Sequence, residues 1–218
     1  MPWQISGDEM KATLIDWMGN DLTVVNAARV SFGKKSEKLE DKDIKLIKYL
    51  ADHKHYSPFG HCFASFHVKA PIFVRAQLGK HEYLRINEVS RRYVDTTPEF
   101  YTPDAWRSKA QDKKQGSGDP ITQWPYLKEG YKFAINQAVE TYEQLLYENV
   151  APEQARMVLP QSMYTEWYWS GSLDAFANMY NLRSKPDTQE ETRLIANEIG
   201  DIMTTIYPHS WKALTDVH

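Results

Sequence analysis

Residues 77 to 93 read QLGKHEYLRINEVSRRY, and they gather three arginines, one lysine, one histidine and two glutamates beside Asn87 and Ser90. Guanidinium forks match phosphate and carboxylate oxygens in pairs, and a serine with free backbone N–H groups completes an anion cradle. Glu88, set among Arg85, Arg91 and Arg92, adds an acceptor for hydroxyl or ring N–H groups that a bare phosphate would not need. Two further arginines, Arg156 in EQARMVLP and Arg183 in NMYNLRS, stand in mostly apolar segments, where an unpaired charge is costly. The cluster alone leaves two readings open, a surface lattice of ion pairs and a site for an anionic ligand. The two separate arginines favour the ligand.

HKHYSPFGH (53 to 61) holds three histidines in nine residues. A metal centre would need a carboxylate or thiolate at ligand spacing. None stands there, and His81-Glu82 lacks the second histidine of HExxH, so no metal is expected. Cys62, the only cysteine, cannot form an internal disulfide, and it falls on the apolar side of an alternating segment. It reads as a small core filler with a normal or raised pKa. No G-x-S-x-G, P-loop or G-x-G-x-x-G is present. An enzyme built this way activates its substrate electrostatically or leaves the hard step to a cofactor.

The elements that must carry these groups come next. A chain of 218 residues, 42% apolar and 13% aromatic, can bury a core without staples. The net charge of −3 argues against nucleic-acid binding through bulk charge. No leader or long apolar run appears, so a cytoplasmic protein with no membrane partner is expected. MKATLIDWMG (10 to 19) reads as a strand, and 21 to 32 as a helix with Asp21 near its cap. A second helix carries Ile44, Ile47, Leu50 and Ala51, and HCFASFHVKA (61 to 70) alternates as a strand. Pro71 opens a short helix. Residues 95 to 125, with a basic QDKKQGSGDP run, read as a loop insertion. A helix over 126 to 149 places Phe133, Ala134, Ala138, Tyr142, Leu145 and Leu146 on one buried stripe. A short helix at Pro152, an aromatic β-rich stretch, a helix bearing Leu173, Phe176, Met179 and Tyr180, and a helix over 187 to 206 complete the chain. Without repeats or a linker, 1 to 218 is expected to form one α+β domain with an antiparallel or mixed sheet flanked by helices.

The residues quoted above also resemble a known family. Gln77, Lys80-His81-Glu82 and Asn87-Glu88-x-Ser90-x-Arg92-Tyr93 are similar to the signature of the flavin-dependent thymidylate synthases, which carry Arg-His-Arg and then Asn-Glu-x-Ser-x-Arg-Tyr. AARVSF, HYSPFGH, RMVLP, NLR and QEETR follow the family in order. The resemblance implies reductive methylation of dUMP to dTMP, a transferase reaction. Methylenetetrahydrofolate is the carbon donor, FAD the hydride carrier and NADPH the reductant, in a homotetramer with shared active sites. It implies that Arg183 polarises the uracil ring, and that Gln77, Lys80, Glu88, Ser90, Arg91, Arg92 and Arg156 hold dUMP, with Ser90 and Arg92 at the phosphate. Ser57, Lys80, His81, Glu82, Glu88 and Asn178 would contact FAD, and His55 would line the folate and flavin pocket. Lys80 keeps a charge but loses the planar fork, Glu82 reverses one, and Gly60 replaces a usual Glu. The alternatives are a pyrimidine-nucleotide hydroxymethylase on the same scaffold and a nucleotide- or nucleic-acid-binding relative without catalysis.

Overall fold

The computed structural model describes residues 9–94, 96–111, 116–122 and 126–216. Four strands form the central sheet: β1 (Lys11–Met18), β2 (Phe63–Pro71), β3 (Arg85–Glu88) and β6 (Tyr164–Ser172), in the order β1-β2-β6-β3 and antiparallel throughout. The alternation expected for 61 to 70 holds, since Cys62, Ala64, Phe66 and Val68 are all fully buried. Across from them Trp167 and Trp169 of β6 face the same core. Truncating either indole to alanine would cost about 3–5 kcal/mol.

Helices cover this apolar face. They are α1 (Asp21–Arg29), α2 (Asp41–Asp52), α3 (Ile72–Leu78), α6 (Leu173–Arg183), α7 (Glu190–Ile206) and α8 (Pro208–Thr215). Leu173, Phe176 and Met179 of α6 and Ile195 and Ile199 of α7 are buried as their spacing predicts. α8 lies beyond the last helix expected from the sequence, and Pro208 stands two residues past the end of that helix, where a proline commonly marks a stop. It starts a new helix instead, with the proline in the first turn where its missing N–H costs nothing. Among the described residues no helix is long and apolar enough to cross a membrane.

Two expectations are corrected. The segment 95 to 125 is not simply a loop: β4 (Trp106–Lys109) and β5 (Ser117–Ile121) form an antiparallel hairpin, and Phe100 bridges to Met163. Residues 112–115 of its basic run lie outside the described residues. The hairpin is anchored by Arg107, whose guanidinium reaches Glu190 at 3.0 Å and Glu191 at 2.5 Å. Short strands rich in Gly, Pro and charge carry no apolar alternation, so the pattern could not show them. The second correction concerns α4 (Tyr126–Tyr147). Only Tyr142 of its expected stripe is buried, and Phe133 is 67% exposed. The helix lies along the outside of the chain, against α5 (Pro152–Ala155) and the 3-10 turn after it.

Cys62 is the core filler its pattern predicts. Burial, and secondarily the Asp21 carboxylate, push its thiol up to about 12. A thiol reagent at about pH 8 should therefore leave Cys62 unlabelled in the folded protein and label it once denaturant unfolds the chain. Rapid labelling of native protein would contradict the buried placement.

Candidate active site

The first group of candidate residues meets where α3 ends beside the end of α6. Arg183, the last residue of α6, donates from Nε to His81 Nε2 at 2.9 Å and from Nη2 to the Gln77 carbonyl at 3.4 Å. Accepting at Nε2 puts the imidazole proton on Nδ1, so His81 is neutral here. Its pKa is lowered to about 4, by burial first and by the Arg183 charge second. The Gln77 side chain is held by Gln189 and by Thr192, whose hydroxyl donates to Oε1 at 3.2 Å. The turn delivering His81 is tight: Tyr83 adopts a left-handed φ of 63°, a conformation disfavoured for a bulky residue. A Cβ at Gly171 of β6 would lie 2.3 Å from Leu84 Cδ2 and 3.1 Å from the Tyr83 carbonyl oxygen, so any side chain there would push on the turn.

The depressed pKa of His81 has a defined consequence for stability. Between about pH 6.5 and pH 4 the unfolded histidine takes a proton that the folded one refuses. Stability from this site is thus intact above pH 6.5 and lost as pH falls towards 4. In His81→Gln, thermal melts over that window should show a shallower loss on acidification than the parent. An unchanged slope would remove His81 from the site's electrostatics.

The second group surrounds a cleft of about 450 Å³ at the end of the sheet, lined by Glu88, Arg91, Arg156, Lys69, Glu99 and Thr165 among others. Glu88 is fixed from two sides, by Arg75 Nη2 at 3.1 Å and by the Thr165 hydroxyl at 2.9 Å. Buried Lys69 pairs with Glu99 at 2.5 Å. Arg91 is tied to the Thr96 carbonyl, while Ser90 Oγ accepts from the Arg92 N–H and Nε, both at 3.3 Å. The Arg92 guanidinium lies 5.1 Å over the Tyr93 ring, outside the cleft lining. Arg156 is exposed in a 3-10 turn, its Nε 3.3 Å from the Glu153 carbonyl. Its apolar neighbours do not bury it, which removes the reason for expecting a costly charge at that position.

The remaining candidates stand apart on this chain. His55 and Ser57 are exposed beyond the end of α2, where His53 stacks on Tyr49 at 4.0 Å. Asn178 is exposed on α6, and Lys80 and Glu82 are exposed on either side of His81. Sequence reasoning missed Arg75, Thr165, Gln189 and Thr192. Arg75 carried a usable signal, since it is a charge within the apolar PIFVRAQLG segment like those that drew attention to Arg156 and Arg183. Gln189 and Thr192 stand in the QEETR segment that follows the family, while Thr165 carried no signal, because its value comes from a partner far away in the chain.

An antiparallel α+β scaffold with arginines converging on a cleft, and a neutral histidine set against another arginine, defines an enzyme for an anionic, hydrogen-bonding substrate. Residues 13–209 match the family described as thymidylate synthase complementing protein, Thy1. The flavin-dependent thymidylate synthase of Thermus thermophilus is 40% identical over 203 residues, covering 93% of this chain and 74% of the relative. That of Kosmotoga olearia is 39% identical over 207 residues, covering 92% and 87%. Among solved structures, the UMP/dUMP methylase PolB from Streptomyces cacaoi bound with 5-Br dUMP superposes with a TM-score of 0.87, at 31% identity and 95% coverage of both chains. The chain belongs to the flavin-dependent thymidylate synthase family.

Proposed function

We propose that this chain converts dUMP to dTMP, with methylenetetrahydrofolate as carbon donor, FAD as hydride carrier and NADPH as reductant. The observation that carries this reading is the setting of Arg183. Its two recorded partners, the neutral His81 and the Gln77 carbonyl, hold the guanidinium in place without cancelling its charge. A fixed, unneutralised cation stabilises negative charge developing on a pyrimidine ring, including ionisation at N3, without reorganising during the step.

Gln77, Lys80, Glu88, Ser90, Arg91, Arg92 and Arg156 are proposed to bind dUMP, with Ser90 and Arg92 at the phosphate and Arg91 and Arg156 lining the adjoining cleft. Arg75 and Thr165 hold the Glu88 carboxylate oriented to accept from a sugar hydroxyl. The donor set fits FAD: exposed Lys80 offers a cation for a pyrophosphate, and Asn178 and Ser57 offer neutral donors. With His81 and Glu88 they are the residues proposed to hold it, beside His55. Glu82 is an acceptor in the same turn and would face a ring or ribose donor rather than phosphate. Bound there, FAD supplies the hydride that completes the methyl group.

These groups occupy separate places on one chain, so the reading includes a homotetramer whose copies share active sites. The exposed α4 stripe and Phe32, 78% exposed in AARVSF, give such contacts an apolar surface. Light scattering on the purified protein should report four chains, and a monomer would overturn the sharing. The single buried thiol suits a reduced cytoplasm. The activity itself is tested anaerobically with dUMP, methylenetetrahydrofolate, FAD and NADPH, reading the product by mass. A methylated nucleotide is expected; a product heavier by one oxygen would make the protein a hydroxymethylase, and no product would overturn the enzyme reading.

A further inference from the structure

Gly79 closes α3 with φ −68° and ψ −4°, in the right-handed region, so nothing in its backbone calls for glycine. The space beside it does. A Cβ at Gly79 would fall on Nη1 of Arg75, one turn earlier on the same helix. That guanidinium is placed by packing more than by hydrogen bonds. It lies 5.9 Å from the centre of the Trp167 ring, and its Nε is buried with no partner among the described residues. From Nη2 it reaches the Glu88 carboxylate at 3.1 Å.

Glu88 stands opposite Trp167 in the β3–β6 pairing, so the two side chains leave the same face of the sheet. Its side chain is one-third exposed and would turn freely without restraint. The Thr165 hydroxyl supplies a neutral hydrogen bond at 2.9 Å, and Arg75 supplies the charged and therefore stronger one. The contact ties the end of α3, just before Lys80 and His81, to the strand that carries Glu88. A side chain at position 79 and a guanidinium on Glu88 compete for the same space.

We infer that Arg75 is a positioning residue for nucleotide binding and that Gly79 sets its place: seated in the space a side chain at 79 would fill, the guanidinium fixes the carboxylate that accepts from the sugar hydroxyl. The role rests on the dUMP site proposed above. It differs from a plain tie between helix and strand in what it controls, which is affinity for dUMP. Calorimetry on the full-length protein saturated with FAD should show dUMP weakened roughly tenfold or more in Arg75→Met, the worth of one charge-assisted hydrogen bond. Gly79→Ala, which leaves the arginine in the sequence but displaces it, should weaken dUMP by a similar factor. Arg75→Lys keeps the charge without the fork and should recover part of the affinity. In steady-state assays of Arg75→Met the loss should fall on KM, with kcat within a few-fold of the parent, because Arg183 keeps its contact with His81. The double variant decides the coupling. Gly79→Ala added to Arg75→Met should cost no further affinity, since the atom it displaces is gone. It should also raise the melting temperature above that of Arg75→Met by about 1–4 °C, as replacing glycine in compatible backbone does. Additive losses in the double variant, or parent-like dUMP affinity in Arg75→Met or Gly79→Ala, reduce Arg75 to a structural tie and overturn the positioning role alone. A parent protein that binds no dUMP overturns the proposed function itself.

Discussion

Arg183→Ala should lower kcat for dTMP formation by about 10²–10³-fold, the usual loss when one preorganised electrostatic donor is removed from a reacting centre. The side chain is at the end of α6 and its recorded contacts are to His81 and Gln77, so its removal leaves the buried face of the helix intact. Melting temperature should therefore change little while activity collapses. Arg183→Lys separates charge from geometry: a lysine restores a cation but cannot hold His81 and the Gln77 carbonyl while facing a ring. Partial rescue is expected. His81 should also report the change, because the arginine charge is the second cause of its low pKa; an NMR titration of its ring in Arg183→Ala should move upwards from about 4. Activity within fivefold of the parent would sink the catalytic role.

Asp21→Ala should cost about 2–4 kcal/mol of stability, because it removes two charge-assisted hydrogen bonds and strands the donors. Asp21 is 5% exposed at the first position of α1. Its carboxylate does not serve its own helix, whose cap is Asn20 in a reciprocal pair with Thr23. It reaches across the chain to α8, where Oδ1 accepts from the Ser210 N–H at 2.8 Å and Oδ2 from His209 at 3.1 Å. A carboxylate placed at these first-turn N–H groups also complements the helix dipole. Asp21→Asn keeps one acceptor and should lose about half as much. Denaturant melts would measure both, and a loss under 0.5 kcal/mol in Asp21→Ala would show that the cap contributes nothing.

Much of the fold was legible because burial follows short-range periodicity. Cys62, Ala64, Phe66 and Val68 at a spacing of two, and Ile195 and Ile199 at a spacing of four, are in the core. The same logic misjudged α4, most of whose stripe is left uncovered by the described residues of one chain. Periodicity states which face is apolar, never what will cover it. It also passed over the β4–β5 hairpin, whose strands pair through the backbone and dock through Arg107 and the ring contact of Trp106 with Tyr131 rather than through an alternating apolar face.

The site divides the same way. The residue types and order of QLGKHEYLRINEVSRRY, read together with Arg156, Arg183 and the AARVSF, HYSPFGH, RMVLP, NLR and QEETR segments, pointed to an anionic ligand and to the family, because a chemical signature is carried by neighbours in sequence. Which groups touch was a tertiary matter. Arg183 meets His81 across 102 residues, Gln77 meets Thr192 across 115, and Asp21 caps α8 across 189. Hydrogen bonds and ion pairs act only within a few ångströms, and a linear order contains no distances between remote positions. The sequence by itself therefore determined the chemistry available, and folding decided that His81 is neutral, that Arg183 is held by His81 and the Gln77 carbonyl, and that Glu88 is held in place.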